Sequence, residues 1–266
     1  MTAGSPHPRL FCGVDVGASA TKLVLLDPPD QVHSRVVRPS GVDYGVTARE
    51  CLEAALVEAS ATEASLVRTV STGYGRGNVE FADDTLTEIH CHGLGCFHLV
   101  PRAITIVDIG GQDNKVIRVG DDGRRLDFTL NRKCAAGTGA FLEEIALRLG
   151  IDLDELEDLA RASSDAVRLS SFCTVFAKTE ILAHLRRGTP VAEIVRGAFY
   201  SVVSRVVEMS PLAGCVVLSG GVVAHNPVIA AILSEHVGTP VEVAPHPQFT
   251  AALGAALAAS RSSPSR

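Results

Sequence analysis

Two stretches of the chain carry the same residue types at the same spacing. Residues 14–25 read Val-Asp-Val-Gly-Ala-Ser-Ala-Thr-Lys-Leu-Val-Leu, and residues 107–118 read Val-Asp-Ile-Gly-Gly-Gln-Asp-Asn-Lys-Val-Ile-Arg. Asp15, Gly17 and Lys22 thus recur as Asp108, Gly110 and Lys115, each 93 residues further on. An aspartate at the end of an apolar strand is costly to bury unless a cation or hydrogen-bond donors meet its charge. A glycine two residues later lets the backbone approach a ligand closely, and successive N–H groups of such a turn form a concavity for anions. Two turns of this kind facing each other can grip a row of phosphates from both sides. Their aspartates would hold Mg²⁺ through its waters, because Mg²⁺ keeps part of its hydration shell. The Walker spacing Gly-x4-Gly-Lys-Ser/Thr is absent, so phosphate binding here has to rest on the paired turns. A single strand–glycine turn–strand is common, but it does not require an aligned Asp and Lys.

A third glycine-rich turn, Ser219-Gly220-Gly221-Val222-Val223-Ala224-His225-Asn226-Pro227, follows an apolar run. Asn226 as cap and Pro227 at the first helical position would start a helix there. Gly220 and Gly221 suit close approach of a flat ligand such as adenosine, although alone the stretch is also an ordinary strand-to-helix turn. Of seven cysteines, Cys134 and Cys173 each fall where a helix is expected to begin. There the positive end of the helix favours a thiolate, the form that ligates iron–sulfur clusters; small buried hydrophobes are the other reading of the same residues. Cys12, Cys51 and Cys215 read as core. The stretch His90-Cys91-His92-Gly-Leu-Gly-Cys96-Phe-His98 is rich in metal-ligand types, yet its spacing fits satisfied polar residues on a domain surface better than a zinc site.

The elements that must position these residues alternate between strand and helix. Short β-branched runs mark strands at Leu10–Val16, Lys22–Asp27, Gln31–Val37, Leu66–Ser71, Ala103–Ile109, Lys115–Val119, Arg125–Leu130, Cys215–Leu218 and Val241–Val243. Helical spacing marks 45–60, 84–99, 137–149, 153–161, 173–187, 190–209, 226–236 and 248–259. The alternation is that of an α/β protein, and the repeat makes it two related halves: 9–100, then 101–259, with a C-terminal helix able to pack back on the first half. Residues 1–8 and 260–266 read as tails.

With 266 residues and about 150 per domain, the chain accommodates one to two domains. Its net charge of −6 and its lack of tryptophan argue against nucleic acid as a partner, which would need clustered Lys and Arg or aromatic stacking platforms. An odd cysteine count in a chain of this size argues against a disulfide framework. No run reaches the roughly 18 apolar residues of a membrane helix, and Met1–Pro8 lacks the features of a signal peptide. A reducing cytosol and no membrane partner are therefore expected.

The segments Asp15-Val-Gly-Ala-Ser-Ala-Thr-Lys22, Asp108-Ile-Gly-Gly-Gln-Asp113 and Ser219-Gly-Gly-Val222 resemble the two phosphate motifs and the adenosine motif of the acetate/sugar kinase, heat-shock chaperone and actin superfamily. More specific are Asn131-Arg-Lys-Cys-Ala-Ala-Gly-Thr-Gly-Ala-Phe-Leu-Glu143 and Phe172-Cys-Thr-Val-Phe-Ala-Lys-Thr-Glu180. Both resemble the ATP-dependent activators of 2-hydroxyacyl-CoA dehydratases, a family that includes the ATPase subunits of benzoyl-CoA reductase. Ser71-Thr-Gly-Tyr-Gly-Arg76 and Pro247-Gln248 through Ala251–Ala256 fit it as well, so the resemblance runs from about Phe11 to Ala259.

The resemblance implies a duplicated actin-like, ribonuclease H-like fold with two α/β halves around a nucleotide cleft and cluster-bearing helices at a dimer interface. It implies ATP and Mg²⁺ bound through Asp15, Gly17, Ala18, Ser19, Ala20, Thr21, Lys22, Gly110, Gly111, Gly220, Gly221 and Gln248, with Asp108, Gln112 and Asp113 as catalytic candidates. It also implies one [4Fe–4S] cluster per homodimer, ligated by Cys134 and Cys173 of each chain, since two thiolates cannot fill a four-thiolate site. Arg132 and Lys133 would offset the charge of such a cluster, and Glu143 or Glu144 could link its helix to the nucleotide. The implied activity is an ATPase coupled to electron transfer in an anaerobic cytoplasm. Ferredoxin or flavodoxin would be the donor and an iron–sulfur acyl-CoA dehydratase or reductase the acceptor. A sugar-type small-molecule kinase of the same superfamily and a nucleotide-dependent actin-like scaffold are the alternatives. A kinase needs an acceptor pocket and no cluster, and a scaffold has no use for the two cysteines.

Overall fold

The structure, a computed structural model, describes residues 9–29, 31–131, 134–169 and 174–261. In chain order it contains β1 (Leu10–Val16), β2 (Ala20–Asp27), β3 (Gln31–Pro39), α1 (Tyr44–Glu58), β4 (Leu66–Thr72), β5 (Asp84–Thr85), α2 (Glu88–Leu99), β6 (Ile104–Ile109), β7 (Asn114–Val119) and β8 (Arg125–Asn131). These are followed by α3 (Gly139–Leu149), α4 (Glu155–Ala162), α5 (Thr174–Arg186), α6 (Val191–Met209), β9 (Cys215–Ser219), α7 (Gly221–His225), α8 (Val228–Val237), β10 (Glu242–Val243) and α9 (Thr250–Arg261). They form two compact units, Met1–Pro101 with Phe249–Arg266, and Arg102–Gln248.

Each unit holds one five-stranded sheet, and the two sheets have one topology. Their orders are β3-β2-β1-β4-β5 and β8-β7-β6-β9-β10. In each, three strands form an antiparallel meander and two more join in parallel. The central strands β1 and β6 are buried along their whole length, which is why Leu-Phe-Cys-Gly-Val-Asp-Val and Ile-Thr-Ile-Val-Asp-Ile are nearly unbroken apolar runs. Registers coincide as well: Asp15 lies opposite Lys22, and Asp108 opposite Lys115. The sequence repeat is therefore a structural one.

The first sheet is covered on both faces. Val14, Val16, Leu23 and Leu25 pack with Cys51, Leu52 and Ala55 of α1. On the other face, Val24 and Leu26 pack with Ala252, Leu253 and Ala256 of α9, and Phe11 with Cys91 of α2 and Ala251, Ala255 of α9. α9 lies so close that side chains beyond glycine have no room at the crossings. A Cβ on Gly13 would stand 2.0 Å from the Ala252 oxygen, and one on Gly254 would stand 1.8 Å from the Cys91 oxygen. Gly254→Ala is expected to force α2 and α9 apart at a cost of about 1–3 kcal/mol or more. Scanning calorimetry checks this: a fall in Tm of several degrees is expected, and an unchanged Tm would disprove the tight crossing. In the second unit, α3, α6 and α8 bury Phe141, Ile145, Phe199, Val202, Ile229 and Ile232 against Val107, Ile109, Val116 and Leu218 of the sheet.

Most boundaries lie within about two residues of the sequence expectation, and two differences have a local structural cause. The helix expected over 84–99 begins at Glu88, because Asp84 and Thr85 pair with Val70 and Ser71 as a short strand and the Thr87 hydroxyl caps the helix by accepting from the His90 N–H. The helix expected over 226–236, with Asn226 as cap, is preceded by a short extra helix. Gly221–His225 forms α7 immediately after β9, and the Asn226 side chain donates back to the Val222 oxygen (3.0 Å), leaving α8 to start at Val228. No described helix is long and apolar enough to cross a membrane.

Candidate functional site

The first turn is held by its own hairpin. The Gly17 N–H donates to the Ala20 oxygen (3.1 Å), and the Ser40 hydroxyl, at the end of β3, donates to the Gly17 oxygen (2.7 Å). The Ser40 N–H bonds the Ser19 oxygen (3.1 Å), and its hydroxyl lies 2.9 Å from that of Thr21. Ala18, Ser19 and Ala20 thus sit in a tied loop. Asp15 is buried just before it, and Lys22 Nζ reaches its Oδ2 at 3.2 Å. The charge that the sequence left in search of a cation is met by the lysine of the same hairpin.

The second turn repeats this geometry. The Gly110 N–H donates to the Asp113 oxygen (2.9 Å), the counterpart of Gly17 and Ala20. Lys115 Nζ lies 3.0 Å from Asp108 Oδ2 and 2.8 Å from Asp113 Oδ1, and Lys115 and Asp108 are each only 4% exposed. The Ser219 hydroxyl donates to Asp108 Oδ1 at 3.0 Å. Asp108 is therefore oriented through both oxygens, by a lysine from β7 and a serine from β9. Gln112 is exposed at the tip of the turn and Gly111 half-buried.

The third turn meets the second. Gly220 has φ +102, and its N–H donates to the Pro247 oxygen (2.9 Å). A Cβ there would stand 2.3 Å from the Ile109 oxygen and 2.9 Å from Asp108 Oδ1, and one on Gly221 would stand 3.4 Å from the Gln248 side chain. Gly220, Gly221, Gln248 and Asp108 are thus brought together. Gly220→Ala is expected to be strained at this φ and to displace Asp108, lowering ATP affinity by at least about tenfold, a loss of roughly 1.4 kcal/mol. Isothermal titration with ADPNP checks this; wild-type affinity would contradict it. The counterpart in the first unit lies within Ser71–Arg76, a stretch that sequence alone does not pair with the third turn. After β4, Gly73 (φ +89) leaves space for a Cβ only at 2.5 Å from Asp15 Oδ1.

The two cysteines fall differently. Cys134 is exposed, but it does not start a helix. Gly137 turns at φ +76 and Thr138 is extended, with its hydroxyl on the Ala135 oxygen (2.6 Å), so α3 begins only at Gly139. The helix-dipole argument for Cys134 loses its geometry for that reason. The start of α3 is instead bonded to the second turn: the Gly139 N–H donates to the Gly110 oxygen (2.9 Å) and the Ala140 N–H to the Gly111 oxygen (2.8 Å). Cys173 lies outside the described residues, with Ser170, Ser171, Phe172, Arg132 and Lys133; α5 begins directly after it, at Thr174. Glu144, expected as a link to nucleotide, instead joins the two helices that follow the cysteines. Its Oε1 accepts from Lys178 of α5 (2.9 Å) and from Arg148 (2.8 Å). Those bonds hold its carboxyl below the usual carboxylate range, so the bridge persists at neutral pH and weakens as pH falls into the acid range. Glu143 points its side chain to solvent.

The other described cysteines are not candidates. Cys12, Cys51, Cys91 and Cys96 are buried, and burial pushes the Cys51 thiol up to about 11 and that of Cys91 up to about 12. Cys215, read from sequence as core, is half-buried, with its Sγ 3.5 Å from Glu242 Oε1. The His90–His98 stretch is a surface feature only in part, with His90 exposed and His98 half-buried. Cys91, His92 and Cys96 are buried and His92 Nδ1 lies 2.9 Å from the Thr250 hydroxyl. Among the described residues, no group of three or more His, Cys, Asp or Glu side chains could hold a metal.

Two sheets of one topology, each ending its central hairpin in a buried Asp–Lys pair beside a closed glycine turn, define a duplicated actin-like ATPase fold. The chain belongs to the BadF/BadG/BcrA/BcrD ATPase family, which it matches over residues 12–259. It is 42% identical over 249 residues to the activator of lactoyl-CoA dehydratase of Anaerotignum propionicum, covering 92% of this chain and 95% of that one. Among solved structures it resembles component A of the (R)-2-hydroxyglutaryl-CoA dehydratase of Acidaminococcus fermentans, with TM-score 0.90, 35% identity and coverage of 95% and 98%. It also resembles the activator of the 2-hydroxyisocaproyl-CoA dehydratase of Clostridium difficile with bound ADPNP, with TM-score 0.88, 36% identity and 94% of each chain covered.

Proposed function

We propose that this chain is an ATP-driven electron-transfer activator. In this reading it takes electrons from a small carrier of the ferredoxin or flavodoxin type and passes them to an iron–sulfur acyl-CoA dehydratase or reductase. The chain works as a homodimer in an oxygen-free cytoplasm, with one [4Fe–4S] cluster shared through Cys134 and Cys173 of each copy.

The observation that carries the reading is Cys134 itself. It is the exposed thiol among described cysteines that are otherwise buried or half-buried, and the helix that follows it is hydrogen-bonded through its first two N–H groups to the Gly110–Gly111 turn. An exposed thiol suits a cluster ligand, whereas a desolvated one resists forming the thiolate. When bound, the cluster supplies one-electron chemistry at low potential.

The chain's own residues do the rest. Gly17, Ala18, Ser19, Ala20, Thr21 and Lys22 serve ATP phosphates, as do Gly110 and Gly111. Asp15 and Asp108, buried beside the two turns, orient Mg²⁺ through its waters. Gln112 and Asp113 position the attacking water, since positioning supplies much of the catalysis in phosphoryl transfer. Gly220, Gly221 and Gln248 border the adenosine. Because α3 shares hydrogen bonds with the phosphate turn, a change at Gly110–Gly111 on hydrolysis is carried into α3, the helix that follows the Cys134 segment.

ATP labelled in the γ-phosphate tests the reading. Label released only as inorganic phosphate, with none on glucose, glycerol or acetate, is expected. Transfer to any of these acceptors would overturn the activator in favour of a kinase.

A further inference from the structure

Two asparagines hold the Cys134 segment from below. Asn114, the first residue of β7, and Asn131, the last of β8, are direct cross-strand partners. The Asn114 side chain donates to the Gly137 oxygen (2.7 Å), and that of Asn131 donates to the Cys134 oxygen (3.1 Å). The pair therefore grips both ends of the four residues from Cys134 to Gly137. Asn114 is 1% exposed, and its Oδ1 has no hydrogen-bond partner. The bond to Gly137 therefore carries the side-chain hydrogen bonding of this buried amide on its donor side alone. Gly137 turns at φ +76, and a Cβ there would stand 2.8 Å from Arg205 Cβ and Cγ, so this end of the segment has no room for a larger residue.

Asn114 also directly follows Asp113, whose carbonyl closes the phosphate turn by accepting from Gly110 and whose carboxylate holds Lys115. A movement of that turn moves the start of β7, and the two amides are attached there. The Gly139 and Ala140 bonds reach α3 but not the residues before it, so the asparagine pair is a separate connection to the thiol.

We propose that Asn114 and Asn131 are positioning residues: an amide clamp that couples the state of the 110–113 turn to the setting of Cys134. This rests on the phosphate-turn and cluster-ligand assignments above. With the clamp closed, Cys134 is presented in one geometry; when the turn shifts, the clamp strains and that geometry changes.

The test uses the full-length chain, freed of iron and kept reduced, so that it is independent of the cluster. Alkylation of Cys134 by iodoacetamide is followed by mass spectrometry of its peptide, with and without ADPNP and Mg²⁺, for the wild type, Asn131→Asp, Asn131→Gln and Asn114→Ala. Asn131→Asp keeps the shape but puts an acceptor against the Cys134 carbonyl. It is expected to raise the nucleotide-free alkylation rate about two- to tenfold, the weight of one such hydrogen bond, and to abolish the response to ADPNP while leaving ADPNP affinity unchanged. Asn131→Gln, which keeps the donor, is expected to retain the response, and Asn114→Ala to lose it. Because Asn131 lies at the surface end of the clamp, its variants remain informative if Asn114→Ala fails to fold. An unchanged ADPNP response in Asn131→Asp would overturn the clamp, as would a wild-type Cys134 that binds ADPNP without responding. A wild type that does not bind ADPNP would overturn the clamp and the nucleotide assignment together. Failure of the cluster assignment alone shows separately, as absence of iron after reconstitution.

Discussion

Cys134→Ala is expected to purify without iron under conditions that load the wild type, while binding ADPNP as the wild type does. A [4Fe–4S] cluster needs four thiolates, and a two-fold dimer that loses one ligand per chain retains only two. The expected effect on iron content is therefore near-complete loss rather than partial weakening. Stability should change little, because the side chain is exposed. Nucleotide binding should persist because the backbone bonds from Gly139 and Ala140 to the phosphate turn do not involve the thiol. Iron assay and titration with ADPNP on the same preparation read both halves of this outcome. Full iron content in Cys134→Ala would remove this residue from the ligand set. Loss of nucleotide binding together with iron would point to a damaged fold instead.

Lys115→Met is expected to be among the most damaging single substitutions in the second unit. Lys115 lies between Asp108 and Asp113, with almost no access to water. Methionine fills much of the same volume but takes the lysine cation away from the buried Asp108 carboxylate. Breaking a buried pair by removing one partner costs about 3–5 kcal/mol, which for a chain of this size lowers Tm by roughly 6–20 °C. The equivalent change in the first unit, Lys22→Met, should cost less, since Lys22 has one carboxylate partner and is 15% exposed. Calorimetry of the two variants side by side checks the ranking. Equal losses, or a Lys115→Met variant within about 1 kcal/mol of the wild type, the usual range for uneventful substitutions, would show that the second network is not the buried charge centre described here.

How much of this was legible beforehand depended on whether a feature left a fixed spacing. The hairpins did. From the aspartate to the lysine the two hairpins keep one spacing, so Asp15 and Asp108, Gly17 and Gly110, and Lys22 and Lys115 keep one offset, and their registers coincide. The turns after β4 and β9 did not. Gly73 and Gly220 occupy equivalent places against Asp15 and Asp108, but α3 to α6 are inserted between β8 and β9, whereas α1 is the one α-helix between β3 and β4. The offset is lost, and with it any sign in the sequence that the two glycines correspond. Ser219 was overlooked as a partner of Asp108 for the same reason, being 111 residues away.

Local misreadings have local causes. Cys134 was placed at a helix start because Phe141, Leu142 and Ile145 set up a clear apolar stripe whose beginning is poorly marked. The positive φ of Gly137 and the extended Thr138 fix the true start at Gly139. Cys215 lies in an apolar run, but it is the first residue of β9, at the sheet's margin beside Glu242. Glu144 illustrates the limit of helical spacing as a guide. Its position on α3 is readable, but its partner Lys178 belongs to a helix that only the tertiary fold brings alongside.

The central claim is that two copies of this chain share one iron–sulfur cluster through Cys134 and Cys173. Native mass spectrometry of protein reconstituted without oxygen addresses it directly, by weighing the assembly and its inorganic content together. The expected species is a dimer carrying four iron and four sulfide ions, which falls apart into iron-free monomers when the cluster is destroyed by oxygen. A colourless chain that carries no iron after reconstitution, or a cluster held within a single copy, would contradict it.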